Sequence, residues 1–150
     1  MVPRQPDRPL VSEDPWDARL ALARERLAPA LLLVGEWVGA GHAHGEPVAA
    51  RLRVRPILDG TALEVWESVG AHEDLCIYRF DADNGQLEVV HFLPGTVSQH
   101  PVELTADGLV WVTPPGQPAV VWSVRGAAVV SEVVWPGQRI AEVQLTYRRA

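Results

Sequence analysis

At Gly35 the hydrophobic period of this 150-residue chain changes from that of a helix to that of a strand. From there to the C-terminus, apolar and polar residues alternate in short runs separated by turn residues, which is the pattern of half-buried strands. Asp59-Gly60, Asn84-Gly85 and Asp107-Gly108 are hairpin signals. Gly45-Glu46-Pro47, Pro94-Gly95 and Pro136-Gly137 supply further turns. The runs predicted as strands are 35–43, 48–58, 61–69, 75–80, 86–93, 96–104, 109–113, 120–125, 129–135 and 139–149. Short connections favour a meander, because a two-sheet sandwich needs long crossovers. A meander of about ten strands curls and closes, which removes its exposed edges. The expected fold is therefore all-β: a closed antiparallel up-and-down β-barrel of about ten strands with an N-terminal helix. A barrel of that width is expected to leave an internal cavity.

Ahead of the barrel, residues 1–13 carry Pro3, Pro6 and Pro9 among charged residues and read as a disordered tail. Asp14-Pro15 is a helix start, an N-cap followed by proline at the first helical position. Helix 15–28 follows, with Trp16, Leu20, Ala23 and Leu27 on one stripe. Pro29 ends it, and Ala30 to Val34 lead into the first strand. Residues 14–150 are expected to form a single barrel domain, with the helix closing one end.

The net charge is -6 and all thirteen basic residues are Arg, so no basic surface for nucleic acid or an anionic membrane is expected. The N-terminus lacks the apolar core of a signal peptide, and a cytoplasmic location is the expectation. The single cysteine, Cys76, excludes an internal disulfide and reads as a small buried hydrophobe.

Gly35-Glu36-Trp37-Val38-Gly39-Ala40-Gly41 places one large ring and then small residues on one strand face. Glycine weakens a strand, so Gly39 and Gly41 suggest close approach by backbone or ligand, or a tight barrel bend. The Gly35-Glu36-Trp37 opening after a helix, together with Arg148 near the end of the last strand, resembles the calycin superfamily of lipocalins and fatty-acid-binding proteins. The longer G-x-W-x-G-x-G pattern is most similar to nitrobindin-like ten-stranded barrels. Arg55-Pro56-Ile57-Leu58-Asp59-Gly60 and Tyr78-Arg79-Phe80-Asp81 also resemble an uncharacterised bacterial lipocalin-like family. The resemblance covers residues 30–149. It implies that Trp37 plugs the barrel base under Arg148 or its neighbour Arg149, with Gly39 and Gly41 leaving space above. Nitrobindins hold haem b through a histidine of the last strand. Here no histidine follows His100, so haem is disfavoured and no cofactor is predicted.

Candidate chemistry is sparse. His42 and His44 share the spacing of a strand chelate, but a third ligand cannot be placed and no metal site is assigned. Ser68, Ser98, Ser123 and Ser131 lie in no nucleophile motif, and no catalytic residue is assigned. Glu64, Glu132 and His91 are the candidates for an acid–base pair. The tryptophans are more informative, and the expected ligand-binding set is Trp66, Tyr78, His91, Trp111 and Trp122. If Tyr78 faces inward, so do Cys76 and Phe80; if Trp66 does, so do Glu64 and Ser68. Apolar residues left outside would be covered by the helix or by a second subunit, and a homodimer is one expectation. The expected function is binding of a small apolar or amphipathic molecule in the barrel. The alternatives are an isomerase or hydrolase on the same scaffold, or an atypical haem protein.

Overall fold

The computed structural model describes residues 15–150; the predicted tail at 1–13 lies outside that range. Helix α1 spans Pro15–Leu27, and a 3-10 helix, Ala28–Leu33, follows it directly. Ten strands come next: β1 Gly35–Ala43, β2 Glu46–Ile57, β3 Ala62–Val69, β4 His72–Asp81 and β5 Gln86–Leu93, then β6 Thr96–Leu104, β7 Gly108–Trp111, β8 Ala119–Arg125, β9 Ala128–Val134 and β10 Val143–Arg149. Each strand pairs with its chain neighbour, and β10 pairs with β1, so the sheet is a closed antiparallel barrel. No helix among the described residues is long and apolar enough to cross a membrane.

Many predicted boundaries shift by one to three residues, and two differences go further. The last strand begins at Val143 instead of Arg139, and Ile140 is exposed in the preceding loop. The apolar run at 30–33 is helical instead of a lead-in to β1. Pro29 sits at the N-terminal end of that 3-10 turn, where its missing N–H costs nothing. This turn is the plug: Ala30 and Leu33 pack onto the core cluster beside fully buried Leu27. Helix α1 runs along the same rim, where Arg19 meets Asp83 at 2.6 Å and Arg24 donates to the Asp59 carbonyl at 2.7 Å. Of its predicted apolar stripe, Ala23 and Leu27 are buried, and Trp16 is 63% exposed.

Inward positions follow the period of two. They include Trp37, Gly39 and Gly41 on β1, then Ala50, Leu52 and Val54 on β2. Leu63, Val65 and Glu67 follow on β3, with Cys76 and Tyr78 on β4. Leu145 and Tyr147 complete the circuit on β10. The centre is packed: Val89 and Tyr147 are fully buried, and Leu63, Leu145 and Val129 nearly so. The wide interior expected for ten strands is thus largely filled by rings, and a void of about 20 Å³ remains beside Tyr78 and Trp122. Phe92 and Val97, paired across β5 and β6, stay exposed on the outer face.

The glycines of β1 allow this packing. A Cβ on Gly39 would stand 2.5 Å from the Tyr147 ring, and one on Gly41 would stand 1.8 Å from the Gln144 carbonyl oxygen. The space expected above Trp37 is therefore occupied by the side chain and backbone of β10.

The base clamp corrects the sequence reading by one residue. Arg149, and not Arg148, lies over the Trp37 ring, 4.3 Å from its centroid. Register is the reason: Arg149 pairs with inward Trp37, whereas Arg148 pairs with outward Val38. The Arg149 guanidinium also donates to the carbonyls of Val34 (2.9 Å) and Leu32 (3.0 Å), and Trp37 Nε1 donates to that of Leu33 (2.9 Å). One cation and one indole therefore satisfy the carbonyls at the end of the plug, which the helix itself leaves open.

Candidate functional site

Of the residues expected to bind ligand, Tyr78, His91, Trp111 and Trp122 face inward and Trp66 does not. Trp66 sits outside because Leu63 and Val65 take the inward positions of β3. Its ring lies under Arg53 at 5.5 Å and its Nε1 donates to Glu73 at 2.6 Å, both on the outer surface. Glu64 shares that outer face in a two-point contact with Arg55 (2.8 and 3.1 Å). Glu132 faces out toward Arg125.

The inward set forms two layers. Near the plug, Trp122 stacks on Tyr147 at 6.1 Å with an 18° interplanar angle. An apolar cavity of about 280 Å³ opens there between the 3-10 plug (Ala30, Leu33), the β6–β7 turn, and Leu109, Trp122 and Val129. The small interior void shares Ala30, Leu33, Leu109 and Trp122 with it, so Trp122 borders both spaces. Trp122 Nε1 is buried and has no hydrogen-bond partner among the described residues. A buried donor left in that state is unusual and costs about 1–3 kcal/mol.

The second layer lies toward the opposite end. Trp111 Nε1 donates to the Tyr78 hydroxyl at 2.9 Å, which fixes both rings. His91 meets Trp111 edge-on at 5.1 Å, and His100 stacks on it at 5.6 Å. His91 Nε2 lies 2.9 Å from Asp74 Oδ2. Glu67, inward on β3 and directly opposite Asp74 across the β3–β4 ladder, accepts the Tyr147 hydroxyl at 2.6 Å. Burial, reinforced by the Asp74 charge, pushes the Glu67 carboxyl up to about 7, against the opposing pull of the Tyr147 hydrogen bond and His91. Burial, then the His91 charge, lowers His100. Burial, with the Asp74 and Glu67 charges, raises the Cys76 thiol far enough to keep it protonated.

Glu67, Asp74 and Tyr147 were missed by sequence reasoning. The available signal was face parity: Glu67 follows Leu63 and Val65 at steps of two, and Asp74 precedes Cys76 and Tyr78 in the same way.

His42 and His44 do not form a chelate. His44 leaves the strand at a positive φ of 51° and contacts Glu142 at 3.0 Å, while His42 faces the Ala141 carbonyl at 3.3 Å. No group of three metal-ligating side chains occurs among the described residues. The inward positions of β10 are Val143, Leu145 and Tyr147, with Tyr147 packed between Gly39, Trp122 and Glu67. These residues do not fit a haem held from the last strand.

The architecture is consistent with a calycin-like fold. No protein-family model matches the chain, and no curated protein matches it.

Proposed function

We propose that this barrel binds a small, largely apolar molecule carrying one hydrogen-bond acceptor, in the cavity between the 3-10 plug and Trp122. The observation that carries the reading is the apolar cavity walled by Trp122, a residue whose Nε1 is buried and has no hydrogen-bond partner among the described residues. Once the Trp122 ring turns its Nε1 toward the cavity, a ligand acceptor satisfies the indole, while the remainder of the ligand displaces contact with water along Leu33, Leu109 and Val129. The volume of about 280 Å³ is close to the lower bound of small-molecule pockets, roughly 300 Å³, which favours compact ligands over long-chain lipids. Ketones, esters and ethers fit this description better than carboxylates, because no cationic side chain lines the cavity.

A homologous series of methyl ketones, titrated against intrinsic tryptophan emission, tests the reading. The expected result is saturable binding that strengthens with chain length, then fails once the cavity is filled, and weakens about fivefold to tenfold in Trp122→Phe. Absence of saturable binding by every member to the unmodified chain contradicts it.

A further inference from the structure

Toward the end of the barrel opposite the plug, two acid–base pairs lie side by side. Glu67 accepts the Tyr147 hydroxyl at 2.6 Å, and Asp74, its direct neighbour across the ladder, contacts His91 at 2.9 Å. Cys76 stands opposite His91 in register. His100 lies on the far face of the cluster against Trp111. Filling a barrel at this level requires only aliphatic side chains, and inward-facing carboxylates are costly unless compensated. Among the described residues only Oε2 of Glu67 is engaged, by Tyr147, so Oε1 is free. The side chains of His91 and Asp74 are 16% and 24% exposed, so the cluster is reached from solvent.

We propose that this cluster is a proton-transfer site for small carbon acids, namely enolisable ketones and aldehydes, with Glu67 as the base and His91 as the group that meets the carbonyl oxygen. Glu67 Oε1 takes a proton from the carbon beside the carbonyl. The C–H electron pair becomes the new C=C bond, and the carbonyl π pair moves onto oxygen, where the doubly protonated His91 ring, its Nε2–H held by Asp74, donates its Nδ1–H. Return of the proton to the same carbon, or to one conjugated with it, completes an exchange or an isomerisation without any co-reactant. The Tyr147 bond orients the carboxyl, and burial with the Asp74 charge makes it a stronger base than an ordinary carboxylate while leaving it partly ionised at neutral pH. Cys76 takes no part as a nucleophile, since the same surroundings keep it a thiol. Tyr147 touches both Glu67 and Trp122, but its hydroxyl serves this site and its ring face the other, so either proposal can fail without the other.

The test uses the full chain and 5-nitrobenzisoxazole, whose isoxazole C–H proton is removed by a base as its N–O bond breaks, releasing a coloured phenolate. Catalysis is expected to exceed that of acetate at equal concentration by about 100-fold or more. The pH profile should rise with a midpoint near 7. Glu67→Gln, whose amide oxygen still accepts from Tyr147, should lose that excess. In Tyr147→Phe the midpoint should move upward, because the phenol hydrogen bond favours the carboxylate. In heavy water, the α-protons of cyclohexanone should exchange faster with the unmodified chain than with Glu67→Gln. A rate no greater than that of acetate, undiminished activity in Glu67→Gln, or cyclohexanone exchange at the same rate in both chains overturns the proposal. Should Glu67→Gln not fold, an unshifted midpoint in Tyr147→Phe overturns it instead.

Discussion

The Tyr147 hydroxyl on β10 reaches Glu67 on β3, 2.6 Å away, across the two strands that separate them in the barrel. It can do so because Gly39, opposite Tyr147, and Ala50, opposite Gly39, leave a trough under the ring. Small residues in the fold-marking strand thus serve a polar contact deep in the barrel.

That contact gives stability a defined pH dependence. Glu67 rises from 4.5 to about 7 on folding, so the folded state holds its proton more tightly than the unfolded state. Its contribution is complete below about 4.5 and is lost as pH rises through about 7. Full ionisation corresponds to a loss of ~3 kcal/mol. His100, lowered by burial, contributes the opposite slope, losing stability as pH falls below 6.5. Urea denaturation at pH 5 and pH 8 should show Glu67→Gln gaining on the unmodified chain by roughly 2–3 kcal/mol at the higher pH. An equal difference at both values contradicts the assignment.

Gly39→Ala should destabilise the barrel by about 1–3 kcal/mol, since its Cβ enters the Tyr147 ring at 2.5 Å. Gly41→Ala should cost more, because the obstacle at 1.8 Å is the backbone carbonyl of Gln144 and cannot rotate away. Thermal denaturation of the two variants orders them.

Arg149→Ala should cost about 1–2 kcal/mol through the lost indole contact and two carbonyl hydrogen bonds. Arg148→Ala should fall within about 0.5 kcal/mol of the parent, as expected for an exposed side chain with no such contacts. The reverse ranking would place the wrong arginine in the clamp.

The architecture was legible because turn chemistry and alternation act locally. The Asp59-Gly60 and Asn84-Gly85 signals each separate two strands, Asp107-Gly108 runs into the start of β7, and the parity rule correctly grouped Cys76, Tyr78 and Phe80. Inward or outward choice was harder where both faces carry large or charged residues. Trp66 was taken for a lining residue although Leu63 and Val65 compete for the interior. Glu67 escaped notice because a strand glutamate ordinarily faces water, and only the register with Tyr147 three strands away reveals its partner. Arg148 and Arg149 are adjacent, so a shift of one residue exchanges inside for outside. The 3-10 plug was read only as a lead-in to β1 because its apolar run lacks helical period over so few residues.

Leu58 carries a positive φ of 51° with its side chain 68% exposed, a conformation unfavourable to a bulky residue. Leu58→Gly should therefore raise stability by about 1 kcal/mol, measured by denaturant midpoint at unchanged m-value. A loss of stability would show that its contact along the α1 groove outweighs the backbone strain.

The central claim is the ligand acceptor at Trp122, and its indole N–H resonance tests it most directly. Trp37, Trp66, Trp111 and Trp135 donate to Leu33, Glu73, Tyr78 and Glu142, so their indole signals serve as internal references. In ¹⁵N-labelled protein titrated with a methyl ketone, the Trp122 Nε1–H signal, assigned by its loss in Trp122→Phe, should move downfield and saturate while those four stay nearly fixed. Saturable ketone binding that leaves the Trp122 signal in place would contradict the account.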